Sequence, residues 1–192
     1  MLNSVATYGG YYIGRYQAGD LAQATPVVKR MNTDIGSQTW YTMWKKARKL
    51  TGTSAGVQMI WGIQWDETLK WLIDTGEKTY AEVGKDSLSW GNDRHNGFTY
   101  YTNTSKSTAT KSSGSTTTIP SGAYEGANAN NVFDLAGNVW DWTLESSGSG
   151  TGYSRYDRGG YYGNDGPATS RYAANPSIGP SSIGLRCSLF IK

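Results

Sequence analysis

The chain has 192 residues, a formal net charge of +3, 17% charged residues and 13% aromatic residues. This length suits one domain with a sizeable core, and the many tryptophan and tyrosine side chains exclude a disordered protein because they supply burial area. No apolar stretch approaches the roughly 20 residues that span a bilayer, so we expect no membrane insertion. Met1 begins no signal-peptide pattern, which predicts an intracellular chain or a fragment of a larger protein.

The first predicted element is a strand or hairpin at residues 8–17, where tyrosines dominate the sequence YGGYYIGRYQ. A helix is predicted at residues 38–50, because apolar side chains recur there at helical spacing. Ser37 is expected to cap the start of this helix, and Gly52 and Gly56 are expected to end it.

A second helix is predicted at residues 64–74 by the same spacing of apolar side chains. Asp66 and Glu67 are expected in its first turn, where the helix dipole favours acidic groups, and Gly76 is expected to end it. The basic side chains of the first helix predict a solvated face and no nucleic-acid partner. They are Lys45, Lys46, Arg48 and Lys49.

A low-complexity segment follows at residues 102–121, with the sequence TNTSKSTATKSSGSTTTIPS. It has almost nothing to bury, so we predict a mobile surface loop within one domain that covers residues 1–192. Strands are predicted at residues 140–144, 156–161 and 183–191, where β-branched, aromatic and other apolar residues are concentrated.

The chain has one cysteine and one histidine. Cys187 lies in the apolar run at residues 183–191, which predicts a buried, inert thiol and excludes an internal disulfide. His95 lies in a polar loop, where a solvated side chain is expected. Because zinc sites need clusters of cysteine and histidine, we expect no zinc site.

Three sequence blocks occur in order in the last third of the chain. They are NVFDLAGNVWDW at residues 131–142, RGG at residues 158–160 and IGLRC at residues 183–187. This series resembles the formylglycine-generating enzyme (sulfatase-modifying factor) family, a branch of the C-type lectin-like fold. The usual family blocks read N-x-F-G-L-x-D-M-A-G-N-V-W-E-W, R-G-G and G-F-R, so Asp141 stands here in place of the usual glutamate.

The resemblance implies an α+β protein of C-type lectin-like fold, with a small, mostly antiparallel sheet, two helices and long irregular loops. It also implies that an N-terminal strand near residues 11–16 pairs with the C-terminal strand near residues 185–191. Trp140, Trp142 and Arg186 are expected to be scaffold residues. The two tryptophans are two positions apart on a strand and therefore share a face, and Arg186 has five donors for buried carbonyl groups.

The chemistry of the resembling enzymes requires residues that this chain lacks. Formylglycine-generating enzymes hold copper with two cysteines between the R-G-G and G-F-R blocks, whereas residues 161–182 contain no cysteine here. A copper(I) site needs thiolates, which one buried thiol cannot supply. The sulfoxide-synthase branch uses three histidines to hold iron, and one histidine cannot form that site. We therefore predict no enzyme activity, no catalytic residues and no cofactor.

Calcium remains an alternative at the second half of the first block. In the resembling family, residues of the G-N-V-W-E-W turn bind calcium, and Asn138, the Val139 carbonyl and Asp141 match those positions. Oxygen ligands suit this hard ion. The other interpretation is that Asn138 holds a left-handed turn and Asp141 forms hydrogen bonds to the backbone. We predict no metal ligand.

Residues 151–182 are rich in tyrosine, glycine and serine, a composition typical of antibody paratopes. Variable proteins of diversity-generating retroelements resemble this arrangement, because they keep the three blocks as scaffold and vary exposed positions between them through adenine-rich codons. The alternative is an ordinary loop packed on its own sheet. The predicted ligand-binding residues are Tyr156, Asp157, Tyr161, Tyr162, Asn164, Asp165, Thr169, Tyr172, Ala173, Asn175 and Ser177.

These observations predict a non-catalytic ligand-binding display domain, the variable target- or receptor-binding module of a phage tail or surface adhesin. The expected partner is a protein or glycan on a target surface, and the expected location is a virion or cell surface. Two alternatives stay open, namely an enzyme of the same superfamily with an unrecognised site and a structural decoration domain.

Overall fold

The structure, a computed structural model, describes residues 2–50, 55–85, 87, 89–150 and 152–191. The helices are α1 (Leu2–Tyr8), α2 (Trp40–Ala47), α3 (Gly62–Asp74) and α4 (Tyr80–Gly84), with 3-10 turns at Arg48–Leu50 and Glu125–Ala127. The strands are β1 (Tyr12–Ile13), β2 (Ala55–Met59), β3 (Phe98–Tyr101), β4 (Thr108–Lys111), β5 (Asn128–Ala129), β6 (Val132–Phe133), β7 (Trp140–Ser146), β8 (Arg155–Arg158), β9 (Arg171–Ala174), β10 (Ile183–Leu185) and β11 (Cys187–Ile191).

A three-stranded antiparallel sheet in the order β1-β11-β2 joins the two ends of the chain. Tyr12 pairs with Leu189 in this sheet, which confirms the predicted pairing of the terminal strands. The N-terminal strand is shorter than expected, because the chain leaves the sheet after β1 and the Arg15 carbonyl accepts a hydrogen bond from Phe133. The segment before β1, predicted to be extended from residue 8, begins with the helix α1.

A second sheet has the order β10-β7-β8-β9, in which β10 runs parallel to β7 and the other pairs are antiparallel. The prediction of one strand at residues 183–191 is wrong, because the segment divides at Arg186 into β10 and β11, which belong to different sheets. The same short segment therefore connects both sheets. This connection places the guanidinium of Arg186 between them, where its side chain is fully buried.

The helix α2 is shorter than predicted at both ends. Thr39 caps it, and its hydroxyl accepts a hydrogen bond from the Thr42 amide at 3.2 Å. Ser37 has a φ of +64°, so it is not the cap that the sequence predicted. Gly52 lies outside the described residues, and Gly56 lies within β2, a strand that was not predicted.

The helix α3 begins two residues before its predicted start, because the Gln64 side chain accepts a hydrogen bond from the Trp61 amide at 3.0 Å. Asp66 and Glu67 consequently lie beyond the first turn, and their predicted role as helix-start charges is wrong. The end of the helix is as predicted, since Gly76 follows the C-cap with a φ of +74°.

The segment at residues 102–121 is not a loop throughout. Its residues Thr108–Lys111 form β4, which pairs with β3 in an antiparallel hairpin. The predicted loop is wrong here because Lys111 is buried, and its ammonium group donates hydrogen bonds to the carbonyls of Asp93 and Asn96 at 2.6 and 2.8 Å. Ile119 is also buried, in a small apolar cluster with Phe98.

The protein has two larger apolar cores in addition to this small cluster. The first packs α2 against the second sheet through Trp40, Met43, Trp142 and Leu185. The second surrounds Trp65 of α3 and includes Leu69, Leu72, Trp90 and Leu135. Burial of Trp65, Leu69 and Leu72 confirms the predicted inner face of α3.

Replacement of Trp142 by alanine is expected to lower the free energy of unfolding by about 3–5 kcal/mol, because its fully buried indole fills the first core. Urea denaturation would measure this change. Trp71→Ala is the matched control, since that indole is 42% exposed and its loss should cost much less. Equal losses in the two variants would contradict the assigned core.

Candidate functional site

Arg186, in the third sequence block, forms four hydrogen bonds with the first block and with Gly14. Its Nε donates to the Asp141 carboxylate at 3.0 Å, and its Nη1 donates to the Gly14 carbonyl at 2.8 Å. Its Nη2 donates to the carbonyls of Phe133 and Asp134 at 2.8 and 3.0 Å. The prediction that Arg186 satisfies buried carbonyl groups is confirmed.

Most oxygens of the calcium alternative already have partners within the protein, and Asp141 Oδ1 is the one that accepts no hydrogen bond from a described residue. The Asn138 side-chain oxygen accepts two hydrogen bonds, and the Val139 carbonyl accepts one from Gln17 at 2.7 Å. The Asp141 carboxylate pairs with Arg186; burial raises the Asp141 pKa to about 6, and the guanidinium opposes that rise. Asn138 has a φ of +64°, which favours the interpretation of this residue as a left-handed turn.

The R-G-G block turns the chain away from the sheet. Gly159 and Gly160 have φ values of +95° and +77°, which residues with a side chain rarely adopt. The predicted strand at residues 156–161 therefore ends at Arg158. The Gly159 carbonyl accepts a hydrogen bond from the Gly137 amide at 2.7 Å, so the first two blocks hold each other in place.

Four aromatic side chains form a surface cluster beyond this turn, which we name the aromatic patch: Trp140, Tyr161, Tyr162 and Tyr172. The Trp140 ring centroid lies 6.4 Å from those of both Tyr161 and Tyr172, and Tyr161 meets Tyr162 edge-on at 5.1 Å. Tyr172 is 62% exposed, and the other three are half-buried. Trp140 was predicted to be a scaffold residue; it packs against the first core and is also partly exposed at this surface.

The structure tests the exposure of the predicted binding residues one by one. Six are exposed, namely Asp165, Thr169, Tyr172, Ala173, Asn175 and Ser177. Four are half-buried, namely Tyr156, Tyr161, Tyr162 and Asn164. Asp157 is fully buried, and its assignment to a ligand-binding surface is wrong. Strand alternation explains this error, because Asp157 is directly opposite the buried Trp142 in the neighbouring strand.

The predicted residues do not form one continuous surface. Successive side chains of β8 point to opposite faces, and Tyr172 pairs with Asp157 while Ala173 pairs with Tyr156. Tyr156 therefore lies on the other face from Tyr172. There its ring is covered by the guanidinium of Arg171 at 3.5 Å.

Asp157 is an unusual group for the centre of this sheet. Neither of its carboxylate oxygens accepts a hydrogen bond from another described residue. Desolvation by burial raises the pKa of its carboxyl to about 8, so the group is mainly protonated at neutral pH.

Two further polar groups have the surroundings that the sequence predicted. Burial raises the pKa of the Cys187 thiol to about 12, which confirms an inert thiol. The His95 side chain is 45% exposed, and its Nε2 lies 3.4 Å from the Asp165 carboxylate. This contact links a polar loop to the interval of predicted binding residues, and nothing in the local sequence of either residue indicated it.

Residues 75–189 match the family described as sulfatase-modifying factor enzyme 1-like domain. The chain belongs to this family. The membership agrees with the order of the three sequence blocks and with the Arg186 contacts that join the first block to the third. No curated protein matches the chain closely enough to be compared.

Two solved structures share the fold of this family member. The crystal structure of CarF has 18% sequence identity and a TM-score of 0.56, covering 82% of this chain and 68% of that chain. Treponema denticola variable protein 1 has 14% identity and a TM-score of 0.50, covering 96% of this chain and 79% of that chain. The predicted α+β, C-type lectin-like fold is confirmed.

Two general features are absent from the described part of the family member. None of its described helices is long and apolar enough to cross a membrane. Within the same residues, no group of three or more histidine, cysteine, aspartate and glutamate side chains is placed to hold a metal ion.

Asp157→Asn is expected to reduce the pH dependence of stability. The unfolded carboxyl has a pKa of about 3.9 and the folded one about 8, so the folded state keeps a proton that the unfolded state loses. Unfolding free energy should therefore fall as pH rises between these values, by at most about 1.4 kcal/mol per pH unit. Urea denaturation from pH 5 to pH 9 would measure it.

Glu77→Gln is the control for this measurement, because Glu77 is exposed and forms no ion pair with another described residue. Its replacement should leave the pH dependence of the unfolding free energy unchanged. If the unfolding free energy depended on pH to the same extent in the wild type and in Asp157→Asn, Asp157 would not be the group that causes this dependence.

Proposed function

We propose that this chain is a non-catalytic ligand-binding display domain, the variable target- or receptor-binding module of a retroelement-diversified phage tail or surface adhesin. The observation that carries the proposal is the aromatic patch, which lies beside the rigid R-G-G turn. Tyrosine and tryptophan provide large contact areas at a low cost in side-chain entropy, which suits them to binding surfaces.

Backbone hydrogen bonds hold the loop after the turn, which leaves its side chains free to vary. The Tyr162 amide donates to the Asn138 carbonyl at 3.0 Å, and the Thr169 amide donates to the Val83 carbonyl at 3.1 Å. The Gly159 amide donates to the Ser170 carbonyl at 3.2 Å. Because these contacts use no side-chain atoms of Tyr162 or Thr169, substitutions at such positions should preserve the loop.

The partner that suits this surface is a protein or glycan exposed on a target. Aromatic anchors dominate the energetics of protein interfaces, and polar neighbours such as Asn175 and Ser177 supply adaptable hydrogen bonds at the rim. The fold shared with Treponema denticola variable protein 1 supports a display role. A location on a virion or cell surface, as part of a larger protein, follows from this role.

A displayed library would test the proposal. We would randomise Tyr161, Tyr162, Thr169, Tyr172 and Asn175 together, display the variants on yeast and select for binding to streptavidin. We expect most variants to fold, because backbone hydrogen bonds hold this loop and substitutions at its exposed positions typically cost within about 0.5 kcal/mol each. Selected clones should bind streptavidin, and returning their patch residues to the wild-type identities should abolish that binding.

A matched library would randomise five buried positions in the same region: Leu135, Asp141, Ala168, Ala174 and Leu185. The fraction of variants that are folded on the yeast surface should be much lower in this control library. Equal loss of folding in both libraries would overturn the proposal, because the patch would then be part of the core.

The DNA beside the gene offers an independent test of diversification. Sequencing should reveal a near-copy of the segment that encodes residues 153–186, with differences concentrated at adenines. A flanking region without such a copy would remove the retroelement from the proposal and leave only the ligand-binding role.

The enzyme alternative predicts a different result with copper. Incubation of the protein with copper(I) and a sulfatase-motif peptide should yield no formylglycine by mass spectrometry, because Cys187 is the only thiol and it is buried. A formylglycine-generating enzyme with its cysteine pair is the positive control. Product formed at a comparable rate would establish catalysis and contradict the display role.

A further inference from the structure

A second concave surface lies outside the aromatic patch and has a different composition. This cleft of about 460 Å³ lies between α2 and β2, and we name it the tryptophan cleft. Its described lining includes Trp40, Trp44, Arg48, Trp61, Leu144 and Phe190. Trp61 is 38% exposed, a large value for a tryptophan outside any assigned interface.

The floor of the cleft depends on a glycine in β2. Phe190 pairs with Gly56 across the sheet, and a side chain at Gly56 would overlap the Phe190 ring. The ring can therefore lie flat against the strand. This arrangement keeps the cleft open between the indoles of α2 and the indole of Trp61.

One wall of the cleft is a continuous stack of indole and guanidinium groups. The Trp40 and Trp44 rings are nearly parallel, at an angle of 8°, with centroids 6.0 Å apart. The Arg48 guanidinium lies 5.0 Å from the Trp44 ring, and Arg155 lies 4.4 Å from the Trp40 ring at the other end. Stacking holds Arg48 at the cleft while its polar edge stays available to a ligand.

The charge of the cleft is uncompensated. No carboxylate occurs among the described lining residues. In the described part of the chain, none of the ion pairs involves Arg48 or its exposed neighbours Lys45 and Lys49. An unpaired cationic rim beside apolar indole faces is complementary to a ligand that combines an anionic group with a flat C–H surface.

We propose that the tryptophan cleft binds a carboxylated carbohydrate. A pyranose ring presents a face of polarised C–H groups, which packs against the electron-rich face of the exposed Trp61 indole. The sugar carboxylate then pairs with the planar guanidinium of Arg48, whose fork geometry matches two carboxylate oxygens. The cleft volume accommodates one or two sugar rings.

Nucleic acid also stacks on aromatic rings, but it fits this surface less well. Single-stranded nucleic acid needs a basic groove that follows several phosphates. The unpaired cations here are Lys45, Arg48 and Lys49 on one short segment and Arg155 at the other end of the stack, which do not form such a groove. The net charge of the whole chain is only +3, which provides little additional attraction. A carboxylate on a single ring matches this local charge better.

Titration of the intact chain with sialyllactose and with lactose would test the inference, with tryptophan fluorescence and saturation-transfer NMR as readouts. Trigalacturonate would serve as a second carboxylated probe. We expect at least one carboxylated probe to bind at millimolar concentration and lactose to bind about tenfold more weakly. Arg48→Gln and Trp61→Ala should each weaken binding of that probe by about tenfold.

Two matched variants control for general effects of substitution. Trp71→Ala removes another exposed indole, and Arg94→Gln removes another exposed guanidinium, so both should leave sugar binding unchanged. Circular dichroism melts would show that each variant is folded. Failure of all carboxylated probes to bind, equal binding of lactose, or stronger binding of a single-stranded oligonucleotide would each overturn the proposal.

The tryptophan cleft does not depend on the display role of the aromatic patch. Replacement of Tyr161 and Tyr172 by alanine should leave sugar binding in place, and Trp61→Ala should leave binding by selected patch variants in place. Failure at one site is therefore distinguishable from failure at the other.

Discussion

Arg186 and Asp141 are both fully buried, and their ion pair lies where the two sheets meet. The other donors of Arg186 bind carbonyl groups of Gly14, Phe133 and Asp134, so one guanidinium joins three distant parts of the chain. Removal of either member would leave an uncompensated buried charge, at a cost of about 3–5 kcal/mol. The sheet connection and the R-G-G turn both depend on this centre.

Because the buried contacts around Arg186 and Asp141 stabilise the fold, the side chains on the loop surface are available for binding. Asn138 receives its hydrogen bonds in the interior, and its carbonyl in turn holds the loop that carries Tyr161 and Tyr162. Backbone contacts supply most of this support, and the Asn164 side chain adds a hydrogen bond from the Tyr161 amide at 3.1 Å. The tyrosine side chains are not needed for these hydrogen bonds, which is the physical condition for a surface that can vary. Asp157 is the exception within the same interval, because a protonated carboxyl lies beneath the surface beside Trp142.

The two candidate surfaces border the same apolar core, because Trp40 belongs to this core and Trp140 of the aromatic patch packs against it. Trp40 packs in the core beneath the second sheet and also lines the tryptophan cleft, while Arg155 of β8 covers its ring. The indole nitrogen of Trp40 donates a hydrogen bond to the Thr143 carbonyl at 2.7 Å, which fixes the ring against β7.

The sequence by itself determined the family, the C-type lectin-like fold, the pairing of the terminal strands and the buried role of Arg186. These features follow from a specific series of blocks and from local periodicity, both of which are visible along the chain. Helix α3 was similarly predictable, because its apolar spacing and Gly76 act within a few residues. Its start was missed because one side-chain cap, that of Gln64, decided it.

Only the tertiary structure decided which side chains of the predicted interval reach solvent. Composition marked Asp157 and Tyr172 alike, and the two are paired on one face of the sheet. Asp157 is buried because β8 lies between two other strands, whereas Tyr172 is exposed on the edge strand β9. The strand β4 and the division of the last strand at Arg186 were also invisible to local patterns, because partners distant in sequence create them. The tryptophan cleft has the same origin, since its walls come from α2, β2 and β7 and meet only in the folded chain.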